Sequence, residues 1–183
     1  MSAFCQWLAT TQGSIALHES LYMYPLVEST HVLTLCLFVG LAAMLDLRLM
    51  GLTMRHVPMS EVASRFLPWL RAGFIVMIVT GALLFYAIPV RSYHNVFFRI
   101  KAIMLVLAGL NAFVFHRGIY RKVFEWDIAP RAPRAARAAG ACSLVLWAVI
   151  IVSGRMIAYN WFDCDMQPPR WAFVAAGCDG YTR

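Results

Sequence analysis

The sequence predicts an all-α integral membrane protein: a four-helix bundle with an N-terminal interfacial amphipathic helix and both termini outside. Of its 183 residues, 61% are hydrophobic and only 14% are charged, a composition typical of a membrane protein rather than a soluble domain. Four apolar stretches are each long enough to cross a hydrocarbon core of about 30 Å, which takes roughly 20 helical residues. Basic residues collect in two of the loops that connect these stretches. We therefore predict a single membrane domain over residues 1–183.

The predicted elements follow one another along the chain. Residues 3–21 are expected to form an amphipathic helix that lies on the outer membrane surface. Each apolar stretch then defines one transmembrane helix, over residues 25–53, 67–90, 96–117 and 138–160. Pro68 suits the first turn of the second helix, where its missing N–H costs no hydrogen bond. Residues 163–183 form a periplasmic tail that is too short for a separate domain.

The distribution of positive charge predicts the orientation in the membrane. Residues 1–47 contain no Lys or Arg. The loops after the first and third spans are basic, and they carry Arg55, Arg65, Arg117, Arg121, Lys122, Arg131, Arg134 and Arg137. Because basic residues collect in cytoplasmic loops, we expect both loops inside and both termini in the periplasm of a bacterial inner membrane. The net charge of +7 therefore reflects topology, and we expect no nucleic-acid partner.

Several motifs that would indicate other functions are absent from the sequence. There is no Cys-x-x-Cys or Cys-x-x-Cys-His, so neither a zinc knuckle nor a covalently attached c-type haem is expected. A Ser-His-Asp triad, a Walker loop and a Glu-x-x-His di-iron pattern are also missing, which argues against a hydrolase or a nucleotide-driven protein. Cys164 and Cys178 share the exported tail, where an oxidising compartment permits either a disulfide or two free thiols.

Three ionisable residues lie inside three different apolar spans, at one depth near the outer face. With a rise of about 1.5 Å per helical residue, His31 lies about 9 Å below the start of the first span. Lys101 lies about 8 Å below the start of the third span, and Arg155 about 6 Å short of the end of the fourth. Charged side chains inside a bilayer are costly, and each one is a candidate functional residue.

The three residues together favour a site for an anionic ligand or a cofactor. A neutral imidazole can ligate haem iron, and a cation at the same depth can hold a haem propionate. The alternative is structural: Lys101 and Arg155 snorkel to the outer surface, and His31 hydrogen-bonds to a neighbouring helix. On the first interpretation His31 is the metal ligand, and Lys101 and Arg155 help to bind the cofactor.

The remaining histidines extend this hypothesis. His94, in the outer loop, is a candidate second metal ligand, although a loop histidine can simply be solvated. His56 follows the first span and His116 ends the third, so the two form a candidate inner site for a second haem. Because both lie at the water boundary, they have no need of a metal. Nearby, Asp46 and Arg48, with Arg71, are expected to form a structural ion pair.

The sequence resembles a group of uncharacterised four-span bacterial membrane proteins over nearly its whole length. The matching segments are Tyr-Pro-Leu-Val-Glu-Ser-Thr-His-Val-Leu (24–33), Asp-Leu-Arg-Leu-Met-Gly-Leu (46–52) and Gly-Arg-Met-Ile-Ala-Tyr (154–159). More distantly, it is similar to HemJ-type membrane protoporphyrinogen oxidases and to the membrane portion of copper-resistance D-type proteins. The shared plan there places a histidine early in the first helix, a glycine in the second and a lysine opening the third, which here are His31, Gly81 and Lys101.

The distant resemblance implies a b-type haem near His31, because HemJ-type proteins bind haem b. We therefore expect a cytochrome b-like subunit that transfers electrons between a periplasmic redox protein and the quinone pool or the cytoplasmic side. Other membrane subunits, quinone and membrane lipid are the further expected partners. The alternatives are a cofactor-free anchor or assembly subunit of a larger complex, and a HemJ-like enzyme that acts on porphyrinogen.

Overall fold

The computed structural model describes residues 2–127, 132–159 and 161–180, and this part of the chain is helical without any strand. Its α-helices are α1 (Ser2–Ala9), α2 (Gln12–Glu19), α3 (Met23–Met50), α4 (Met59–Ala87), α5 (Pro89–Tyr93), α6 (Val96–Val114), α7 (Val123–Trp126), α8 (Arg134–Met156) and α9 (Arg170–Ala176). Among the described residues, four stretches are long and apolar enough to cross a membrane: Met23–Met50, Met59–Ala87, Val96–Trp126 and Arg134–Tyr159. The all-α, four-helix membrane class is therefore confirmed.

The side chains that these spans expose are largely apolar. Leu33, Ile75, Val106 and Val145 are each more than 60% exposed, and each lies on a different span. Large apolar surfaces of this kind are rare on monomeric soluble proteins. They suit a chain whose outer surface contacts lipid.

The N-terminal region forms two short helices instead of the single helix expected over residues 3–21. The hydroxyls of Thr10 and Thr11 donate to the carbonyls of Trp7 and Leu8, each at 2.7 Å. Threonine side chains that bond the backbone three residues back compete with helix continuation, and α1 ends at this point. The interruption is therefore a local effect of two adjacent threonines.

The second span begins at Met59, earlier than the predicted residue 67, so Pro68 lies inside α4 and not in its first turn. The start of α4 is capped from a distant part of the chain. The Asp127 carboxylate accepts hydrogen bonds from the Ser60 backbone N–H, at 2.8 Å, and from the Ser60 hydroxyl. Because free N–H groups at a helix start need acceptors, this contact stabilises the additional turns.

The third span continues beyond the predicted end at residue 117. A π-helical turn over Phe115–Ile119 and a 3-10 turn over Tyr120–Lys122 join α6 to α7. Short π and 3-10 pieces are common where a long helix changes its winding. The fourth span, α8, extends through a 3-10 turn to Tyr159; residue 160 and the tail residues 181–183 lie outside the described residues.

The chain divides into two compact units, and each contains segments of all four spans. The first unit takes its residues from Met1–Val32, Met77–Ile103 and Ile150–Arg183, and the second from Leu33–Val76 and Met104–Val149. The expectation of one membrane domain over residues 1–183 stays a prediction.

The first unit holds the C-terminal tail firmly. Cys164 and Cys178 form a disulfide, and Val96 is buried against Ala172 and Ala176 of the tail. Asp163 accepts a hydrogen bond from the Asn95 side chain, and Arg99 donates to the Ala175 carbonyl at 2.6 Å. The disulfide is therefore the correct one of the two alternatives that the sequence left open.

The second unit contains the buried cluster of Leu49, Met59, Ala63, Val123, Ala132 and Ala136. Within it, α3 and α8 approach closely at Gly140. A Cβ atom on Gly140 would lie 3.0 Å from the Asp46 carbonyl oxygen and 3.3 Å from the Leu49 Cβ. Small residues allow membrane helices to pack at such short distances.

The expected ion pair between Asp46 and Arg48 is wrong. Arg48 is buried, and its guanidinium donates to the Val57 carbonyl at 2.9 and 2.7 Å. Asp46 is bonded to Ser143, and its Oδ2 atom has no hydrogen-bond partner among the described residues. Residues two apart on a helix do not face one another, so the two side chains point to different neighbours.

Packing at Gly140 predicts a sharp difference between two glycines. Gly140→Leu should destabilise the protein by about 1–3 kcal/mol or more, because the added side chain overpacks the contact with α3. Gly109→Leu is the matched control, since a Cβ at Gly109 meets nothing within 4 Å. Thermal unfolding in detergent measures both variants, and equal melting temperatures would contradict the close approach at Gly140.

Because one carboxyl oxygen of Asp46 has no partner among the described residues, we expect the protein to tolerate an amide at this position. Asp46→Asn should change the free energy of unfolding by no more than about 1 kcal/mol, because no buried cation loses its partner. Removing one member of a buried ion pair would instead cost about 3–5 kcal/mol. Unfolding of the purified variant measures the difference, and a loss in that larger range would restore the ion-pair interpretation.

Candidate functional site

His31 lies in the first unit, on the part of α3 near its N-terminus, with 8% of its surface exposed. Its Nδ1 atom is 2.8 Å from the Thr80 hydroxyl of α4. The Thr80 hydroxyl donates to the Met77 carbonyl at 3.4 Å, so its oxygen is placed to accept from the Nδ1–H of His31. This tautomer leaves the imidazole lone pair on Nε2, for which the described residues offer no hydrogen bond.

The backbone of α4 passes directly beside the His31 ring. A Cβ atom on Gly81 would lie 3.4 Å from the His31 Cε1 atom, which is tight contact. A larger residue at this position would take up space next to the imidazole. Thr80 and Gly81 therefore act together, since one fixes the orientation of the ring and the other leaves room at its edge.

Lys101 belongs to the same unit and lies on α6, half-buried. Its Nζ atom is 3.5 Å from the position of a Cβ on Gly154 of α8, and the ammonium is within electrostatic range of His31. Within the described residues no carboxylate forms an ion pair with it. The protein thus places a cation without a visible counter-ion inside an apolar span, where cations are costly unless something compensates them.

Arg155 follows Gly154 in sequence, but its side chain lies elsewhere. The residue is exposed, and its guanidinium carbon is 5.1 Å from the centroid of the Tyr159 ring. This is a cation–π contact near the end of the span. Lys101 therefore lies at Gly154 and acts electrostatically on His31, while Arg155 has Tyr159 as its neighbour.

His94 is buried at the end of α5, beneath the C-terminal tail. Its Nδ1 atom lies 3.2 Å from the Ala176 carbonyl oxygen, and its ring meets Tyr93 edge-on. Because a carbonyl can only accept, Nδ1 carries the proton, and the lone pair of the neutral imidazole is on Nε2. His31 and His94 therefore share one pattern, in which a fixed oxygen atom holds Nδ1.

The inner histidines belong to the second unit, and both are exposed. His56 lies in the segment after α3, and His116 lies in the π-helical turn, where its ring stacks on Tyr120 at 5.2 Å. Across the described residues, no group of three or more His, Cys, Asp or Glu side chains is placed to hold a metal ion. A haem needs only one or two axial side chains, so this finding concerns metal sites of the zinc type.

Sequence reasoning missed Thr80, although a signal was available. It is the one serine or threonine among residues 72–90, a stretch that has no charged residue, and it directly precedes Gly81. A buried hydroxyl in a membrane span needs a hydrogen-bond partner. The histidine of the first span was a candidate for that partner.

The contact between His31 and Thr80 makes a stability prediction. Thr80→Val keeps the shape of the side chain but leaves a buried Nδ1–H without an acceptor, which should cost about 1–3 kcal/mol. Thr80→Ser keeps the hydroxyl and serves as the control. If thermal unfolding in detergent gave the two variants the same stability, the hydrogen bond would not hold His31.

Comparison with known proteins gives one result. Residues 4–160 match a family described as a family of unknown function, DUF6644. No curated protein and no solved structure matches the chain, so the similarity to HemJ-type and copper-resistance D-type proteins stays a prediction. The matched region includes all four candidate spans and stops before the disulfide-linked tail. Since it covers most of the sequence, this four-span chain belongs to the DUF6644 family.

Proposed function

We propose that the protein is a b-type cytochrome-like subunit of a bacterial inner membrane, which transfers electrons between a periplasmic redox protein and the quinone pool or the cytoplasmic side. The observation that carries this proposal is the environment of His31. The imidazole is buried in an apolar span and its Nδ1 is 2.8 Å from the Thr80 hydroxyl, and donation from Nδ1–H to this hydroxyl leaves the lone pair on Nε2. Histidines that ligate metals almost always donate the other ring N–H to a fixed acceptor.

His31 and Lys101 have the chemistry that a haem site would need. His31 would hold the iron through a neutral nitrogen, and the unpaired Lys101 ammonium would compensate the negative charge of a propionate. Gly81 lies beside His31 and Gly154 lies beside Lys101, and neither glycine has a side chain that would take up space there. His94, whose Nδ1 is also held by a carbonyl oxygen, is the candidate for the second axial ligand. Bound haem would supply one-electron redox chemistry, while the apolar surroundings would tune its potential.

The tail supports a periplasmic partner. Disulfides persist in the periplasm and are rare in the cytosol, and the Cys164–Cys178 bond lies in the same unit as His31. The basic loops predict the same orientation, because they are expected on the cytoplasmic side. A cofactor in the first unit would thus be near the surface where an exported redox protein can approach.

An absorption spectrum tests the proposal. The protein is purified in detergent from a haem-replete culture, and its spectrum is recorded oxidised and after reduction with dithionite. We expect a Soret band with sharp reduced α and β bands. His31→Ala should lose these bands because the proposed iron ligand is missing, while His56→Ala, a change at an exposed histidine of the second unit, should keep them.

Two further variants refine the same measurement. His94→Ala should convert a six-coordinate spectrum into a five-coordinate one if His94 is the second ligand. Lys101→Gln should reduce the haem retained after purification more than Arg155→Gln does, since Arg155 contacts Tyr159 instead. A featureless visible spectrum of the wild-type protein would overturn the cytochrome proposal.

That outcome would favour a second function, a cofactor-free anchor or assembly subunit of a larger membrane complex. One observation supports it: His31 is already hydrogen-bonded to Thr80 and packed against Gly81. A polar pair between helices can serve structure alone. In that case Thr80→Val would lower stability, while His31→Ala would change no spectrum.

A further inference from the structure

A cavity of about 390 Å³ opens in the second unit, between the end of α3 and the beginning of α8. It is lined by Met50, Leu52, Arg134, Arg137, Ala138 and Ala141. Met50 is the last residue of α3 and Arg134 the first of α8. Because both helices are candidate membrane spans, the cavity lies where spans end, at the boundary between hydrocarbon and headgroups.

One wall of the cavity changes from charged to apolar along a single helix face. Arg134, Arg137, Ala138 and Ala141 follow the spacing i, i+3, i+4, i+7, which places them on one side of α8. The two arginines lie at the helix end, and the alanines lie further into the span. With about 1.5 Å per residue, this face is about 10 Å long from Arg134 to Ala141.

The charge of the cavity has no compensation within its lining. No acidic residue lines it, both arginines are exposed, and neither takes part in an ion pair within the residues that the structure describes. Two guanidinium groups one turn apart suit a phosphate, which accepts several charge-assisted hydrogen bonds at once. The ligand that fits them is an anion.

We propose that this cavity binds an anionic phospholipid, with the headgroup phosphate on Arg134 and Arg137 and an acyl chain along Met50, Leu52, Ala138 and Ala141. The change from basic to apolar lining matches the two parts of such a lipid. The predicted topology places this end of α8 on the cytoplasmic side, where anionic lipids attract basic residues next to spans. Basic pockets at that position are known to suit phosphorylated or cardiolipin-type headgroups.

Lipid titration monitored by native mass spectrometry tests this site. The detergent-purified full-length protein is titrated with phosphatidylglycerol, or with phosphatidylcholine of the same acyl chains as the neutral reference. We expect phosphatidylglycerol to bind more tightly by roughly 25-fold, since each of the two arginines near the headgroup contributes about a fivefold factor. Arg134→Gln with Arg137→Gln should remove this preference.

A matched double variant separates the cavity from general attraction by a basic loop. Arg121→Gln with Lys122→Gln removes the same number of positive charges from the same basic stretch of sequence, residues 117–137, at exposed residues that do not line the cavity. It should keep the preference for phosphatidylglycerol. An equal loss in both double variants would overturn the proposal, because the attraction would then be non-specific.

Two further measurements distinguish a lipid from free phosphate. Ala141→Phe keeps both arginines and fills the apolar part of the cavity, so it should weaken phosphatidylglycerol binding severalfold. Inorganic phosphate should compete poorly with the lipid because it cannot use the apolar wall. Unchanged binding by Ala141→Phe, together with full competition by millimolar phosphate, would identify the site as a plain anion site and overturn the lipid assignment.

Discussion

The structure depends on one constraint: polar groups inside the hydrocarbon layer must be satisfied by the protein itself, because no water is present to do so. Several polar side chains within the spans illustrate it. His31 is bonded to Thr80, Asn111 donates to the Ala139 carbonyl at 3.0 Å, and the Arg48 guanidinium bonds the Val57 carbonyl. These bonds link successive elements at defined positions, whereas apolar contacts with lipid-like surfaces specify helix register only weakly.

Two groups stand apart from this rule, and they mark where the chain departs from a purely structural bundle. Within the described residues, Asp46 has an oxygen with no partner and Lys101 has no anionic neighbour. A buried polar atom without a partner costs free energy, so each of these two groups lowers the stability of the protein. In the first unit the Lys101 cation acts electrostatically on His31, and these are the two residues on which the proposed haem site depends.

The sequence predicted the spans well because length and hydropathy are local properties, but its errors came from non-local contacts. The start of α4 at Met59 depends on Asp127, which lies 67 residues away in the chain. His94 donates to the carbonyl of Ala176 in the tail. The Arg155 side chain lies over the Tyr159 ring instead of beside Lys101. The absence of a pair between Asp46 and Arg48, by contrast, was predictable, because their spacing of two residues places them on different faces of a helix.

The disulfide of the tail has a consequence for a histidine that is distant from it in the sequence. The carbonyl of Ala176 that holds His94 lies on the chain segment closed by Cys164 and Cys178. A disulfide forms in an oxidising compartment, whereas the two cysteines stay reduced in the cytosol. With both cysteines reduced, the segment that carries α9 and the Ala176 carbonyl would lose this covalent restraint. The redox state of two cysteines and the surroundings of a buried histidine are thus coupled through a single covalent bond.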